Sequence, residues 1–521
     1  MSKCLVRNSA AGPTPTRRLP RSRWRLIGCA LSPVMLLTAC TVGPDFKSPE
    51  PPASQGYRPG EKLASSTDVP GRWWERFRSR PLNELIYDGL ANNTDLHAAE
   101  AALRVAQANA LAQRGALFPE ITAGFNSNRQ LTPTEAVTTN AASGASLYSV
   151  HTAQVSVSFV PDVFGGTRRQ IESSDAQVEM QAFQREGVFL TLSANIALAA
   201  IQEASLRGQI AATQRLIDLQ VQSLNLLKIQ NERGQIAMPD VVAQETAVAQ
   251  ARLLLPGLEK QLNQQRHLLA YLTGRLPSDP LPATFQLSSF RLPRPLPRTL
   301  PADLIRQRPD VRAAESNLHA VNAQIGVAIA ARLPQIALTA NAGSSASTIA
   351  SLFSPHTAFW MAAGSVAQTV FDAGIREQKQ RAAEAATDQA LAQYRSAVLA
   401  ACQNVADVLR ALEADERTLN AAIAAERSAE QSITLARAQI ERGQVAISVL
   451  ITAQQAFLQA SLARVQAQAG RLADTVALFQ ALGGGWWNRI EVDPRVEAFN
   501  AALEKTQARA QAAQADAATA Q

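Results

Sequence analysis

The chain has 521 residues, of which 46% are hydrophobic but only 5% aromatic, a composition typical of long, closely packed helices rather than of a large aromatic core. The formal net charge is +7, but residues 1–40 hold seven Lys and Arg residues and no Asp or Glu. After residue 40, 43 basic residues balance 43 acidic ones, so the remaining chain lacks the basic bias that indicates nucleic-acid binding.

An export signal is predicted for residues 1–39. The basic stretch ends at Arg25, and the apolar run of residues 26–37 is too short to span a bilayer as a helix. The residues L-T-A-C at 37–40 resemble a bacterial lipoprotein signal box, which implies cleavage before Cys40 and acylation of its thiol. Several acyl chains would anchor the protein stably, since each buried CH₂ contributes about 0.8 kcal/mol. A plain signal peptide with an incidental Cys is the alternative.

The remaining cysteines agree with this prediction. Cys4 and Cys29 precede the cleavage point, and Cys402 is then the one thiol left besides Cys40. No disulfide is expected within the mature chain, and Cys402 lies in the apolar pattern of a helix as a small packing residue.

The chain contains an internal repeat. The sequence D-L-H-A-A-E-A-A-L begins at Asp95, and D-V-R-A-A-E-S-N-L begins at Asp310. The tetrapeptide E-R-G-Q occurs at 232–235 and again at 441–444. Between these pairs, a Gly-x-Arg beginning at Gly166 parallels one beginning at Gly374. Three matches in the same order predict a duplicated fold.

Each half begins with a predicted helix followed by two strands. The helices cover about 81–116 and 302–332, and a proline follows each, at Pro119 and Pro334. Four segments then favour strands, because apolar and polar residues alternate in most of them. The strands are predicted at about 118–131, 148–161, 334–343 and 357–371.

Alternation gives a strand one apolar and one polar face, as a membrane barrel requires. Soluble hairpins would show the same alternation. The pattern is weakest in 357–371, where Phe359, Trp360 and Met361 are continuously apolar. The segments 132–147 and 344–356 have the Ser, Thr, Ala and Asn content of exposed loops.

A very long helical hairpin follows each strand pair. The first helices cover about 163–233 and 373–442, and roughly 70 residues would extend about 105 Å. Gly234 and Gly443 are expected to end them as left-handed caps. The return helices cover about 238–273 and 447–482, and Pro256 should kink the first of them.

Four strands cannot close a membrane barrel, because the smallest known barrels use about eight and an open edge is costly in lipid. The barrel is therefore expected to be shared between chains and to continue as a tube of long helices. The predicted fold class is mainly α with a membrane β-barrel contribution, built as a duplicated helix, strand pair and long helical hairpin. The pattern leaves the number of subunits open.

Several motifs carry a family resemblance. They are C-T-V-G-P-D-F at 40–46, W-W at 73–74, R-P-D-V-R at 308–312 and F-D-A-G at 371–374. In this order they resemble the TolC-like outer-membrane efflux proteins, in the lipoprotein branch known as the NodT family. The resemblance covers about residues 40–490, nearly all of the mature chain.

The resemblance implies a homotrimer with a twelve-stranded barrel in the outer membrane and a periplasmic helical tunnel. It also implies a periplasmic adaptor and an inner-membrane transporter of the resistance-nodulation-division (RND) class as partners. The channel would conduct small molecules passively, without a cofactor or metal, and would bind no nucleic acid. Drugs, aromatic acids and metal ions all remain open as cargo, as does the identity of the pump.

The turns at residues 234–240 and 443–448 are the candidate gate and adaptor-facing tip. Asp240, with Glu245 nearby, is the candidate acidic group of the first repeat. Family members tend to carry Asp at the positions that Ser448 and Thr452 hold here, which puts an acidic ring in the second repeat in doubt. Alternatively, Asp240 only begins a helix, where its charge suits the helix dipole.

An enzyme, a periplasmic adaptor and a secretion channel are the alternatives to an efflux channel. The sequence has no G-x-S-x-G, P-loop, H-E-x-x-H or paired C-x-x-C motif, so no enzyme activity is expected. A periplasmic adaptor also has a long helical hairpin, but the duplication and the strand pairs argue against it. A secretion channel for unfolded protein would share the fold, and stays open.

The expected organisation therefore has six parts. These are the signal peptide 1–39, a lipidated and equatorial segment 40–80, repeat 1 at 81–290, a Pro-rich linker 291–301, repeat 2 at 302–485, and an equatorial C-terminal segment with a low-complexity tail at 486–521.

Overall fold

The fold is described from a computed structural model, for residues 41–50, 69–132, 146–293 and 303–489. The predicted signal peptide, Cys40, most of the Pro-rich linker and the C-terminal tail after residue 489 lie outside these ranges.

The first predicted helix is two helices. Helix α1 spans Arg80–Asn92 and α2 spans Thr94–Gly115. Asn93 between them has an extended backbone, and its side-chain oxygen accepts hydrogen bonds from the backbone N–H groups of Asp95 (2.9 Å) and Leu96 (3.1 Å). Asn93 is thus the N-cap of α2, and the expectation of one continuous helix over 81–116 was wrong.

The second repeat has the corresponding break. A short helix α5 spans Asp303–Arg306, and α6 spans Pro309–Ala330. Arg308 is extended, with φ −64° and ψ 136°, because a residue before proline is disfavoured in helical conformation. The single helix predicted over 302–332 was therefore also wrong.

The two long hairpins are equal in length. Helices α3 (Gly166–Glu232) and α7 (Ile375–Glu441) each have 67 residues, and α4 (Met238–Leu272) and α8 (Ile447–Ala481) each have 35. The duplication is confirmed, with one correction to the alignment of the repeats. Gly165 and Gly374 both have left-handed backbones and directly precede α3 and α7, so Gly374 corresponds to Gly165 rather than to Gly166. Helix α4 continues on both sides of Pro256, and the kink stays a prediction.

The strands form one antiparallel sheet in the order β1-β2-β3-β4. They are β1 (Glu120–Thr132), β2 (Ser146–Phe159), β3 (Gln335–Ala346) and β4 (Ala358–Ala367). All four strands lie within two residues of the predicted bounds, except at the ends of β3 and β4. Strand β3 extends three residues beyond 343, and β4 stops four residues before 371, where the Gln368 side chain donates to the Arg332 carbonyl (2.9 Å).

Helix α3 lies at the centre of the helical part, where it contacts α1, α2, α4, α6 and α8. It is the one helix in the described ranges that is long and apolar enough to cross a membrane, but 56% of its most apolar stretch is buried. Its packing is that of a core helix.

The largest apolar core joins residues 69–77, just before the first repeat, to the end of the second repeat. Trp73 and Phe77, on a short 3₁₀-helix, are buried and contact Phe479 of α8, with the Trp73 and Phe479 rings stacked at 5.5 Å. Burying each such side chain contributes about 1.5–3 kcal/mol. The core thus holds α1, α3 and α8 together at the middle of the long helices.

Candidate functional site

Strands β1, β2 and β3 give the sheet one mainly apolar and one mainly polar face. Across β1 and β2, Ile121 pairs with Val157 and Ala123 with Val155, while Thr122 pairs with Ser156 on the other face. The same register continues through β3 and β4. The predicted alternation is therefore confirmed in β1, β2 and β3, whereas in β4 the apolar Phe359 and Met361 lie on the otherwise polar face.

The apolar face is uncovered in the single subunit. Ile121 is 69% exposed, Val366 70% and Trp360 79%. Soluble monomers rarely expose a contiguous apolar surface of this kind. In the described part of the chain, β1 and β4 are each paired on one side only, which leaves two open edges that lipid cannot satisfy.

The two hairpin turns have the same backbone structure. Gly234 and Gly443 both have φ +68°, a left-handed conformation that glycine adopts at little cost. The same two backbone hydrogen bonds close both turns. In the first turn, Gly234 N donates to Asn231 O (2.8 Å) and Gln235 N to Gln230 O (2.9 Å). In the second, Gly443 N donates to Ile440 O (2.9 Å) and Gln444 N to Gln439 O (2.9 Å). The predicted left-handed caps are confirmed, as Schellman motifs.

The two turns lie at the same end of the molecule. One buried apolar cluster next to them draws residues from α3, α4, α7 and α8: Leu224, Leu227, Val241, Val248, Ile433, Ala436, Ile447, Leu450 and Phe457. Helix α3 runs unbroken from the end of the sheet to this cluster, a distance of about 100 Å for 67 residues. The pair of turns, 234–240 and 443–448, is called the tip below.

Asp240 and Glu245 have different surroundings. Asp240 lies half-buried in the first turn of α4, where its charge favours the helix dipole. Glu245 is exposed and forms an ion pair with Lys228 of α3 at 2.7 Å, worth up to about 1 kcal/mol at the surface. Five positions along a helix correspond to a rotation of about 140°, so the two carboxylates point in different directions.

Ser448 and Thr452 share one exposed face of α8. The Thr452 hydroxyl donates to the Ser448 carbonyl oxygen at 2.9 Å. Because α4 begins at Met238 and α8 at Ile447, Ser448 corresponds to Pro239 of the first repeat. Asp240 therefore has Val449 as its counterpart, and the two repeats present different chemistry at the tip.

A buried arginine lies at the other end of α3, and no pattern in the sequence predicted it. The Arg169 side chain is 5% exposed. It holds the segment after residue 40, by donating to the carbonyl oxygens of Val42 (3.1 Å) and Gly43 (3.2 Å) and to the carboxylate of Asp45 (2.7 Å). A Cβ added at Gly165 would clash with Thr41. The segment therefore begins beside the junction between strand β2 and helix α3. We call residues 41–46 the strap.

A sequence profile described as outer membrane efflux protein matches residues 85–275 and 300–484, one block in each repeat. The chain belongs to the outer membrane efflux protein family. Among curated relatives of this efflux protein, the pyoverdine export outer membrane protein OpmQ of Pseudomonas putida is 32% identical over 466 residues, covering 88% of this chain and 97% of OpmQ. The probable efflux pump outer membrane protein TtgC of the same species is 29% identical over 460 residues, covering 87% and 94%.

Solved channels have the same fold as this efflux protein. The outer-membrane channel OprN matches with a TM-score of 0.80 at 27% identity, covering 86% of this chain and 100% of that one. The open-state MtrE channel of Neisseria gonorrhoeae matches with a TM-score of 0.76 at 25% identity, covering 87% and 100%. The TolC-like fold, the outer-membrane location and the role as the outer-membrane channel of an efflux system are confirmed.

Proposed function

We propose that three copies of this efflux protein close one barrel and one tunnel, which conduct small molecules passively. The observation that carries this proposal is the four-stranded sheet, whose β1 and β4 edges lack a second neighbour within the described residues. Pairing β4 of one copy with β1 of the next removes every open edge. The exposed apolar face would then meet lipid, and the polar face would line a channel.

We further propose that the tip is the periplasmic gate and the surface that meets an adaptor. It lies at the far end of α3 from the sheet, and both turns of a subunit reach it. Asp240 on α4, together with Ser448 and Thr452 on α8, would face the converging copies, whereas Glu245 is engaged with Lys228. Carboxylates that converge on an axis attract cations and resist close approach.

The proposed partners are a periplasmic adaptor and an RND-type inner-membrane transporter, which would supply the energy for export. Relatives are described as a pyoverdine export protein and as a probable efflux pump component, which supports small molecules as the class of cargo. Acylation of Cys40 is part of the proposal, and the strap supports it, because Thr41 lies at the junction of sheet and helix.

Planar-bilayer conductance of the purified, detergent-extracted protein tests the proposal, with its mass in detergent measured alongside. We expect steady ion-conducting steps from a particle with the mass of three chains. A monomer that neither inserts nor conducts would overturn the shared barrel. Intact-mass spectrometry of the same sample would show whether residue 40 begins the chain and carries acyl groups.

A further inference from the structure

A groove runs along one face of helix α3, between α4 and α8 of the same subunit. Its volume is about 760 Å³, which lies within the range of small-molecule sites in proteins. None of the side chains that line it is charged. Six of them are amides, drawn from all three helices: Asn195, Gln202 and Gln209 of α3, Gln261 and Gln265 of α4, and Gln466 of α8. We call this the amide groove.

Contacts within the subunit hold the three helices around the groove. Gln265 donates to the Ala199 backbone carbonyl at 3.3 Å, and Gln466 donates to the side-chain oxygen of Gln209 at 3.4 Å. The space between the helices stays open because α8 has a glycine there. A Cβ added at Gly470 would meet no atom of the described chain within 4 Å, so packing inside the subunit does not require a glycine at this position.

The other amides of the groove are available to a ligand. Asn195, Gln202 and Gln261 are exposed and form no hydrogen bond with any residue that the structure describes. Leu268, which is 43% exposed, adds an apolar surface to the lining. An amide offers both donors and an acceptor, whereas a charged ligand would lose hydration here without meeting an opposite charge. The lining therefore matches uncharged molecules that carry several hydroxyl or amide groups on a carbon skeleton.

The amide groove lies on the side of α3 that faces away from the largest apolar core. Asn195, Gln202 and Gln209 follow one another at steps of seven positions, which is close to two helical turns, so they share one face. Ile196 and Ala204 lie on the roughly opposite face and are buried in the core that also holds α1.

In the proposed assembly the groove opens into the tunnel. Helices α4 and α8 both lie beside α3, so the two sides of the groove are occupied within one subunit and a neighbouring copy cannot enter from the side. Helix α1 and residues 73–77 pack against the other face of α3. Three copies of that layer would block the tunnel if they lay on its axis. The groove therefore faces the axis, and this placement rests on the proposed assembly.

We propose that the amide groove is a binding site for cargo inside the tunnel, and that it takes uncharged molecules with several hydroxyl or amide groups. Each hydrogen bond formed there replaces one to water and contributes little net affinity, so a bound molecule leaves quickly and export continues. The tip would act on ions through charge, whereas the groove would act on neutral molecules through hydrogen bonds.

Interruptions of the open-channel current in planar bilayers test the proposal with two probes. Maltohexaose offers hydroxyl groups, and a short blocked peptide of glycine and serine offers amides. Polyethylene glycol of the same mass is the control for size alone, because its ether oxygens accept hydrogen bonds but do not donate them. A molecule bound in the groove is expected to lengthen the interruptions beyond those that polyethylene glycol causes.

Three variants of the full-length protein remove or fill the site. Q202M alone and Q202M/Q466M together delete amides and keep nearly the same side-chain length, and Gly470→Phe places a ring in the groove. Gln455→Met is the matched control. Gln455 is exposed and lies eleven positions before Gln466 on α8, close to three whole turns, so it shares nearly the same face but does not line the groove.

We expect at least one probe to interrupt the native current for longer than polyethylene glycol does. The duration should fall about fivefold for each amide removed, should reach the polyethylene glycol value in G470F, and should stay at the native value in Q455M. Equal durations in the native protein and in Q202M/Q466M would overturn the site. So would a native channel that responds to both probes as it does to polyethylene glycol.

Saturation-transfer difference NMR separates this proposal from the channel function, because it measures probe binding without conduction. The purified protein is kept in a detergent without a sugar headgroup. If the native protein does not conduct, the proposed channel function fails, and a probe signal that disappears in Q202M/Q466M would still establish the groove. Conduction without saturation transfer to either probe would overturn the groove and leave the channel standing.

The melting temperature of each variant shows whether it is folded. Gln202 is exposed and forms no hydrogen bond within the described residues, so Q202M should melt with the native protein. If Q202M/Q466M unfolds, Q202M alone decides the question, and native probe binding in that variant would overturn the site.

Discussion

Gly43 of the strap packs directly on Gly326 of α6: a Cβ at Gly43 would lie 2.5 Å from the Gly326 Cα, a separation that real Cβ atoms do not adopt. From the other side, a Cβ at Gly326 would lie 2.8 Å from the Val42 carbonyl oxygen and 2.7 Å from Cγ of Arg169. The strap therefore depends on two glycines from distant parts of the chain.

Gly326→Ala should release the strap and destabilise the protein by about 1–3 kcal/mol, because an added methyl group in a filled space forces the backbone to move. Limited proteolysis with mass spectrometry should then show faster cleavage within residues 41–50. Gly257→Ala is the control, since Gly257 lies in α4 with open space around it, and alanine there should stabilise by about 0.5–1 kcal/mol. Equal protection of the strap in both variants would contradict the close approach.

Arg169→Lys should weaken the strap while keeping the charge. The guanidinium donates to two carbonyls and two carboxylates at once, and an ammonium group cannot reproduce that geometry. We expect a loss of about 1.5–3 kcal/mol in thermal or denaturant unfolding, the usual value for hydrogen bonds to a charged group. Arg104→Lys, on the exposed face of α2, should be neutral. A neutral R169K would show that the strap is held without the arginine.

The sequence pattern predicted the repeated elements of the fold because their causes are local. Alternation along a strand and a glycine at the end of a helix act within a few residues, and Gly234 and Gly443 end their helices as expected. The break at Asn93 was missed although asparagine is a common N-cap. Its amide also donates to the Leu272 carbonyl (3.1 Å), a contact across 179 positions that no local pattern reveals.

The buried polar residues were less predictable for the same reason. The sequence located the tip, but Arg169 and Gln454 are buried by packing between distant helices, and their surroundings exist only in the folded chain. In the sequence, Arg169 is one of two adjacent arginines and Gln454 one of two adjacent glutamines. Which member of each pair is buried depends on the rotation of its helix, which the weak amphipathic pattern of such long helices does not fix.

Acidic residues on α7 and α8 should make stability depend on pH. Burial raises the pKa of Asp415 to about 6, helped by a hydrogen bond and repulsion from Asp474 and opposed by Arg471. Because the folded state favours the protonated acid, this contribution is fully present below the ordinary pKa of 3.8 and is lost as pH rises through about 6. Melting temperature should therefore fall between pH 4 and pH 7.

Asp415→Asn should remove that dependence and raise the melting temperature at pH 7, because the neutral amide keeps the shape of the protonated acid. Asp407→Asn, at an exposed position of the same helix, is the control and should leave the slope unchanged. Parallel pH profiles for D415N and the native protein would show that Asp415 does not titrate in this range.

Charge at the tip should set the ion preference of the open channel. Asp240→Asn should lower the permeability of cations relative to anions, and Ser448→Asp should raise it, since each changes one charge per subunit where the copies converge in the proposed assembly. A close charge in water contributes about 1 kcal/mol, so the permeability ratio should change by up to roughly fivefold for each charge. The reversal potential under a salt gradient in planar bilayers measures this ratio.

Glu245→Gln is the matched control for this prediction. It removes the same charge five positions further along α4, but from a carboxylate that points away from Asp240 and is paired with Lys228 at 2.7 Å. We expect the reversal potential of E245Q to equal that of the native channel. A shift in E245Q as large as that in D240N would mean that the tunnel responds to net charge alone, and Asp240 would then be only the first-turn residue of α4.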